Sequence, residues 1–309
     1  MTIVVAGGAG FLGSHLVDAH VKAGDHVVVL DNFSTGNRKN LIEAEASGKV
    51  EVIDGDVARD VPSIDHVRIV YNLASPASPP GYLVRPFDTL AVGSEGTRRL
   101  LDLARENQAR FVMASTSEIY GDPDVHPQVE EYRGNVEATG PRSVYDEAKR
   151  FSEAMTAAYR RYYETDTAII RIFNTYGPRL DKDDGRVVSN FIVQALADQP
   201  LTIYGKGLQT RSLCYIDDLI DGIMKVGQSH HPGPINLGNP DERTVLDIAS
   251  AIIAAVGSSS SLEYRDLPAD DPTRRCPDIS KAKNILGWNP SVEFEVGIRR
   301  TIEYFRQTI

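Results

Sequence analysis

Tyr145 and Lys149 stand four residues apart in Tyr145-Asp146-Glu147-Ala148-Lys149, a spacing that places both side chains on one face of a helix. A free tyrosine is a poor base, because its pKa of about 10 keeps it protonated at neutral pH. A lysine ammonium one turn away favours the phenolate, and a phenolate so placed can take the proton of an alcohol. Upstream, the apolar run Phe111-Val112-Met113-Ala114 ends abruptly in Ser115-Thr116-Ser117-Glu118. Thr116 can hydrogen-bond the same hydroxyl. A buried strand that delivers polar groups at its carboxyl end is where an open α/β sheet keeps its chemistry. Alone, Tyr-x-x-x-Lys is more often an exposed helical pair; it becomes a catalytic pair only beside a hydride acceptor.

The amino-terminal residues supply the place for one. Residues 2–6 are a short β-branched run that reads as a buried strand. Gly7-Gly8-Ala9-Gly10-Phe11-Leu12-Gly13 follows, then a helix over about 14–23, a strand over 26–30, and Asp31. Gly7 permits the tight turn, Gly10 lets the backbone approach a pyrophosphate, and Gly13 lets helix and sheet pack closely. Phe11 and Leu12 carry amides at the helix start, where phosphate is favoured. Asp31 can accept hydrogen bonds from an adenosine ribose and repels a 2′-phosphate, so the expected cofactor is NAD rather than NADP. Asn32, Thr35 and Gly36 form a candidate adenosine-side loop. After a third strand over 50–53, Asp56 and Val57 are candidate adenine contacts, although a solvated turn explains Asp56 nearly as well. A fourth strand over 67–73 leads into Ala74-Ser75-Pro76-Ala77-Ser78-Pro79-Pro80. Its prolines argue against a helix and for a shaped loop over the ligands, with Leu73 and Ser75 as cofactor contacts.

A helix over about 86–106, the central strand, a helix over 146–164 and a strand over 167–172 complete the alternation. The expected fold is therefore α/β, a Rossmann-type doubly wound parallel sheet, with a smaller C-terminal α/β substrate lobe. Residues 1–173, with 214–237 returning to the sheet, form the NAD-binding unit; residues 174–213 and 238–309 form the lobe. The chain of 309 residues carries a net charge of −10 and no basic block, which argues against nucleic acid or an anionic membrane as partner. Cys214 and Cys276 are its only cysteines, and a disulfide framework is not expected. The start of the chain is too short in apolar run and too glycine-rich for a signal peptide or membrane anchor, so a soluble cytoplasmic protein is expected. His230-His231 is a poor metal signal in a Gly/Pro-flanked loop, and no metal is expected.

Gly7-x-x-Gly10-x-x-Gly13, Thr116, Tyr145-x-x-x-Lys149 and Arg171-Ile172-Phe173-Asn174 resemble the extended short-chain dehydrogenase/reductase superfamily. Longer segments resemble its UDP-glucuronate decarboxylase (UDP-xylose synthase) family: Leu73–Pro80, Ala114–Pro123, Asp184–Phe191, Gln209-Thr210-Arg211 and Asp270–Asp278. The resemblance implies that NAD oxidises C4 of UDP-glucuronate, that the C4 ketone draws electrons from the departing carboxylate, and that the stored hydride returns to give UDP-xylose. It implies Thr116, Glu118, Tyr145, Lys149 and Arg275 as catalytic residues. Ser117, Asn174, Arg186 and Arg211 join Glu118 and Arg275 as substrate contacts, the arginine forks suiting diphosphate oxygens; Tyr204 can stack or pack near the uracil, and an ordinary core tyrosine explains it about as well. A 4,6-dehydratase of this superfamily places an acid after the threonine; here Ser117 stands there, which disfavours loss of water. Glu118 can position a water or move a proton at C5. Arg275 would pair the sugar carboxylate or assist protonation of the enolate. One departure is Gly93, where relatives generally have asparagine, which puts cofactor positioning in question. A homodimer through helices near 90–106 and 146–164 is also implied. The rival outcomes are 4-epimerisation to UDP-galacturonate, release of a UDP-4-keto-pentose, and a non-catalytic NAD sensor, which would be expected to have lost Thr116, Tyr145 or Lys149.

Overall fold

The computed structural model describes residues 1–266 and 274–309. Six strands, β1 (Thr2–Ala6), β2 (His26–Asp31), β3 (Val50–Asp54), β4 (Val67–Asn72), β5 (Arg110–Thr116) and β6 (Thr167–Ile172), join Ile235–Leu237 in one sheet. Their order is Ile235–Leu237, β6, β5, β4, β1, β2, β3, with every pairing parallel. The sheet is buried on both faces because its strands are apolar on both sides. In β1, Ile3 and Val5 pack into one core with Leu16, Leu219 and Ile223; Val4 and Ala6 pack into the other with Leu100, Leu101 and Tyr159. Consecutive strands run one way from β1 to β3 and the other way from β4 to β6. The carboxyl ends of β1 and β4 therefore flank a crevice at the point where the order reverses, which is where such sheets bind ligands.

The remaining chain stands at that edge. Thr175–Tyr176 pairs with Cys214–Tyr215, Thr210–Ser212 with Glu242–Thr244, and Leu201–Tyr204 with Leu262–Arg265. Helices Val187–Leu196, Val245–Val256 and Phe294–Thr308 pack on one another. The segment 216–237 contributes helix Ile216–Gln228, which packs against β5 and β6, and the edge strand beside β6. Cys214 and Cys276 are buried and unpaired. Among the described residues no helix is long and apolar enough to cross a membrane. Asp270–Thr273 of the arginine-bearing motif lie outside the described residues.

Three elements depart from the sequence expectation. The proline segment does contain a helix, Pro79–Val84: Pro79 and Pro80 occupy its first turn, and the Ser78 hydroxyl accepts from Gly81 N at 3.3 Å. Proline is excluded from helix interiors, but in the first turn its missing N–H has no partner to lose. The helix expected over 86–106 is interrupted, running as Pro86–Ala91, a π-helical turn Val92–Gly96, then Thr97–Glu106. The helix bearing Tyr145 begins at Ser143 and runs to Tyr163, so the tyrosine sits in its first turn, facing the crevice.

Gly93 lies within the π turn. A Cβ on Gly93 would lie 2.7 Å from Ala148 Cβ and 3.0 Å from Ala148 O, and the Gly93 carbonyl accepts from Ser152 Oγ at 2.7 Å. The two helices touch backbone to backbone beneath Lys149. Glycine at 93 is thus fixed by helix packing here, in the place where an asparagine side chain is usual.

Candidate active site

A cleft of about 1290 Å³ opens between the glycine turn, the Leu73–Arg85 segment, the end of β5, the Tyr145 helix and the C-terminal lobe. On its cofactor side, Gly7, Gly10, Phe11, Leu12, Gly13, Thr35, Leu73 and Ser75 all line it. A Cβ on Gly13 would fall 2.0 Å from Gly7 O, so this glycine is demanded by the turn packing onto its own helix. At Gly10 a Cβ would meet only Gly7 O, at 3.3 Å. The fold itself has little need of glycine there, and the open space above it fits a close-lying pyrophosphate. Asp31 is buried at the end of β2, accepting from Ala9 N and Phe33 N at 2.8 Å each. Burial raises its pKa, against the pull of those two amides. Its carboxylate thus ties the glycine turn to the next loop, with Gly36 passing over both oxygens. Asn32 accepts from Ser34 N at 3.0 Å, which shapes the same loop. Asp56 closes a turn by accepting from Ala58 N at 2.9 Å, and Val57 is buried in the core. Asp31, Asn32, Gly36, Asp56 and Val57 are not among the residues that line this cleft. The glycine turn, braced from beneath by Asp31, fits the pyrophosphate of a dinucleotide.

Thr116, Tyr145 and Lys149 converge at the end of β5 and all line the cleft. Each is buried. Lys149 Nζ donates to Ala114 O at 2.9 Å and lies 5.8 Å from the Tyr145 ring centroid. Burial lowers the lysine to about 8, opposed by the nearby Glu153 carboxylate. The same burial pushes the Tyr145 phenol above its ordinary value, the hydrogen bond with Thr116 pulling the other way. In this site desolvation sets the direction of the shift, with the Lys149 ammonium hydrogen-bonded to the β5 backbone. The lysine charge and the positive charge of an oxidised nicotinamide ring both act to lower the phenol. Behind them Glu153, one turn beyond Lys149, accepts from Ser115 Oγ at 2.6 Å and from Arg171 Nε and Nη2 at 3.0 and 2.8 Å. This buried fork fastens the helix to β5 and β6.

Glu118 follows the threonine in a short 3₁₀ turn, Ser117–Tyr120, that Thr116 caps by accepting from Glu118 N at 3.2 Å. The turn swings the Glu118 carboxylate between two guanidiniums, Arg275 at 2.6 Å and Arg142. Burial alone would raise its pKa, but Arg275 and Arg142 overcome that and hold it at about 2. Arg275 also donates to Ser117 Oγ at 3.4 Å and to Gly121 O at 3.1 Å. Asp146, beside Tyr145, is buried with Oδ1 unpartnered, and burial together with the Glu118 charge raises it to about 7. Toward the lobe, Asn174, Arg186, Tyr204 and Arg211 line the cleft. Arg186 Nε donates to both Asp184 oxygens, at 2.6 and 2.7 Å. Tyr204 is 38% exposed, so it is a wall of the cleft and not a core tyrosine. His231 belongs to the loop beneath the sheet, its carbonyl accepting from Arg110 at 2.8 Å and its Nδ1 from Gly233 N at 3.0 Å.

Sequence reasoning passed over two residues of this site. Tyr82 stacks on Tyr145, centroids 5.1 Å apart and planes 6° from parallel; it was hidden by the assumption of a loop after the prolines. Arg142 was unremarked, although its place three residues before Tyr145, at the start of that helix, was the available signal.

The fold and cleft define an NAD-dependent epimerase/dehydratase, and the chain belongs to the NAD dependent epimerase/dehydratase family, whose model matches residues 3–238. Within it, the chain is 47% identical over 309 residues to UDP-glucuronic acid decarboxylase 2 of Arabidopsis thaliana, covering 100% of this chain and 69% of that protein. It is also 47% identical over 307 residues to UDP-glucuronic acid decarboxylase 1 of Xenopus tropicalis, covering 99% and 72%. Among solved structures it is similar to a UDP-glucuronic acid 4-epimerase from Bacillus cereus in complex with UDP-glucuronic acid and NAD, with a TM-score of 0.89, 28% identity and full coverage of both chains.

Proposed function

We propose that this protein converts UDP-glucuronate to UDP-xylose and carbon dioxide through a transient 4-keto sugar, with bound NAD recycled. The observation that carries the reading is the constellation Ser117, Glu118 and Arg275 beside Thr116 and Tyr145. A hydroxyl stands where a dehydratase needs an acid, and an arginine–glutamate pair stands where a uronic acid would bring its carboxylate. The likeness to named decarboxylases at 47% identity supports the same reading, whereas the structural likeness to a 4-epimerase is at 28%.

Bound NAD would supply a reversible acceptor for the C4 hydride, held by the glycine turn with Asp31 bracing it, by Thr35, and by Leu73 and Ser75. Tyr145 takes the C4 hydroxyl proton, and Thr116 orients that hydroxyl through the hydrogen bond it shares with the phenol. Lys149 adds positive charge at the ribose end. Once C4 is a ketone, the C5–carboxyl electron pair flows into it as carbon dioxide leaves, and the enolate is then protonated at C5. Arg275 meets the carboxylate, and Glu118 places the proton donor at C5. An interaction that grew stronger on the carboxylate than on the transition state would slow its loss, so the exchange of partners at Arg275 matters to rate. Asn174, Arg186, Tyr204 and Arg211 serve the UDP portion.

A homodimer is in keeping with the surface: Leu83, Val84, Phe87 and Leu90 are exposed on the two short helices that pack against the Tyr145 helix, which itself exposes Phe151, apolar surface that a second copy would cover.

Incubating the purified protein with UDP-glucuronate, while following carbon dioxide and the nucleotide-sugar products, tests the activity. UDP-xylose with equimolar carbon dioxide is expected. UDP-galacturonate without carbon dioxide would refute it in favour of epimerisation, and a 4-keto pentose as sole product would remove the final reduction.

A further inference from the structure

Glu118 is held by two guanidiniums at once, one contact at 2.6 Å from Arg275 and the other from Arg142. Arg142 and Arg275 both line the cleft, so the pair of positive charges faces the ligand space with a single partnered carboxylate between them. Arg275 is 4% exposed, yet its Nε finds no hydrogen-bond partner. A buried guanidinium donor left empty is costly; the neighbouring Asp146 carboxyl is pushed toward its neutral form by burial and the Glu118 charge, so the two arginines face one ionised carboxylate and have room in charge for a second anion. We propose that Arg142 and Arg275 together form the seat for the carboxylate of a uronic acid, that Glu118 occupies this seat in the free protein, and that the substrate carboxylate displaces it.

The arrangement selects by charge. A planar carboxylate matches the fork of a guanidinium, so a uronic acid can take over the contacts that Glu118 gives up. A neutral sugar offers only hydroxyls, which cannot replace an ion pair in a desolvated cleft, and Glu118 stays locked. Displacement also has a chemical result. Paired as it is, Glu118 is held ionised; relieved of one or both guanidiniums it is left to the burial that raises its pKa, and can serve the protonation at C5. Recognition of the carboxylate and release of the acid–base group become one event. Arg142 is thereby a substrate-binding residue. The inference rests on the proposed decarboxylation only for the identity of the uronic acid.

Calorimetric binding of UDP-glucuronate and of UDP-glucose to the NAD-loaded protein and its variants tests it. Arg142→Gln should weaken UDP-glucuronate at least about tenfold, as expected for loss of one arm of a charge pair, while UDP-glucose changes less than about twofold. Arg142→Lys, which keeps the charge and loses the fork, should fall between. Glu118→Gln should bind UDP-glucuronate several-fold more tightly than the wild type although its turnover falls, because the internal competitor is gone. UDP-glucose affinity reports that each variant remains folded. An unchanged preference for UDP-glucuronate in Arg142→Gln, or Glu118→Gln binding it no more tightly, would overturn the proposal. Wild-type carbon dioxide release, assayed separately, shows whether any failure lies here or in the decarboxylation itself.

Discussion

Asp146 should make this protein less stable as the pH rises toward neutrality, and Asp146→Asn should remove the effect. The carboxyl is 6% exposed, has an unpartnered oxygen, and titrates at about 7 because burial and the adjoining Glu118 charge disfavour its ionised form. In the unfolded chain it titrates at its ordinary value of 3.8. Between those two values the folded state binds more protons than the unfolded state, so unfolding free energy falls with rising pH. A gap of about three pH units, at 1.36 kcal/mol per unit, amounts to about 4 kcal/mol. Asparagine keeps the shape and cannot ionise. Urea denaturation of both proteins at pH values from 4 to 8 should show near-equal stability at the acid end. The variant should then gain about 1.4 kcal/mol per pH unit over the wild type and level off above pH 7. Glu118 does not interfere, because its folded pKa of about 2 and its ordinary 4.5 confine its own contribution to more acid solution. A difference that does not vary with pH, or a variant that is less stable at pH 8 than at pH 5 relative to the wild type, would refute the reasoning.

Glu153→Gln should destabilise the fold by about 3–5 kcal/mol, since it leaves the buried Arg171 guanidinium without its counter-charge; urea unfolding measures it. The same change removes the influence that keeps Lys149 protonated, so the alkaline limb of the pH–rate profile should move to lower pH. Gly93→Ala should cost about 1–3 kcal/mol by driving a methyl into Ala148, and a double-mutant cycle with Ala148→Gly should show a favourable coupling that recovers part of that loss, the contact with the Ala148 backbone remaining. Tyr145→Phe should slow C4 oxidation at least about 100-fold, read as the reduced-cofactor absorbance formed in a single turnover, with UDP-glucuronate affinity little changed.

Local chemistry made much of this protein legible without coordinates. The apolar runs of β1 and β5, the glycine spacing after β1 and the four-residue step from Tyr145 to Lys149 each act over a few residues, so a parallel α/β sheet, its glycine turn and the meeting of Tyr145 and Lys149 in one cleft were legible in the sequence. Proline misled only where its position within a helix mattered, because its cost in the first turn is nil and in the interior is large. Tertiary packing decided the rest. Glu118 meets Arg275 only because the fold brings residues far apart in the chain to one cleft, and Arg142 joins them only because the Tyr145 helix starts where it does. Tyr82 reaches Tyr145 through a helix that the prolines concealed. The direction in which Tyr145, Lys149 and Asp146 are shifted was likewise beyond the sequence. A side chain's type sets which proton it can carry, but desolvation and the charges packed around it set when it lets that proton go.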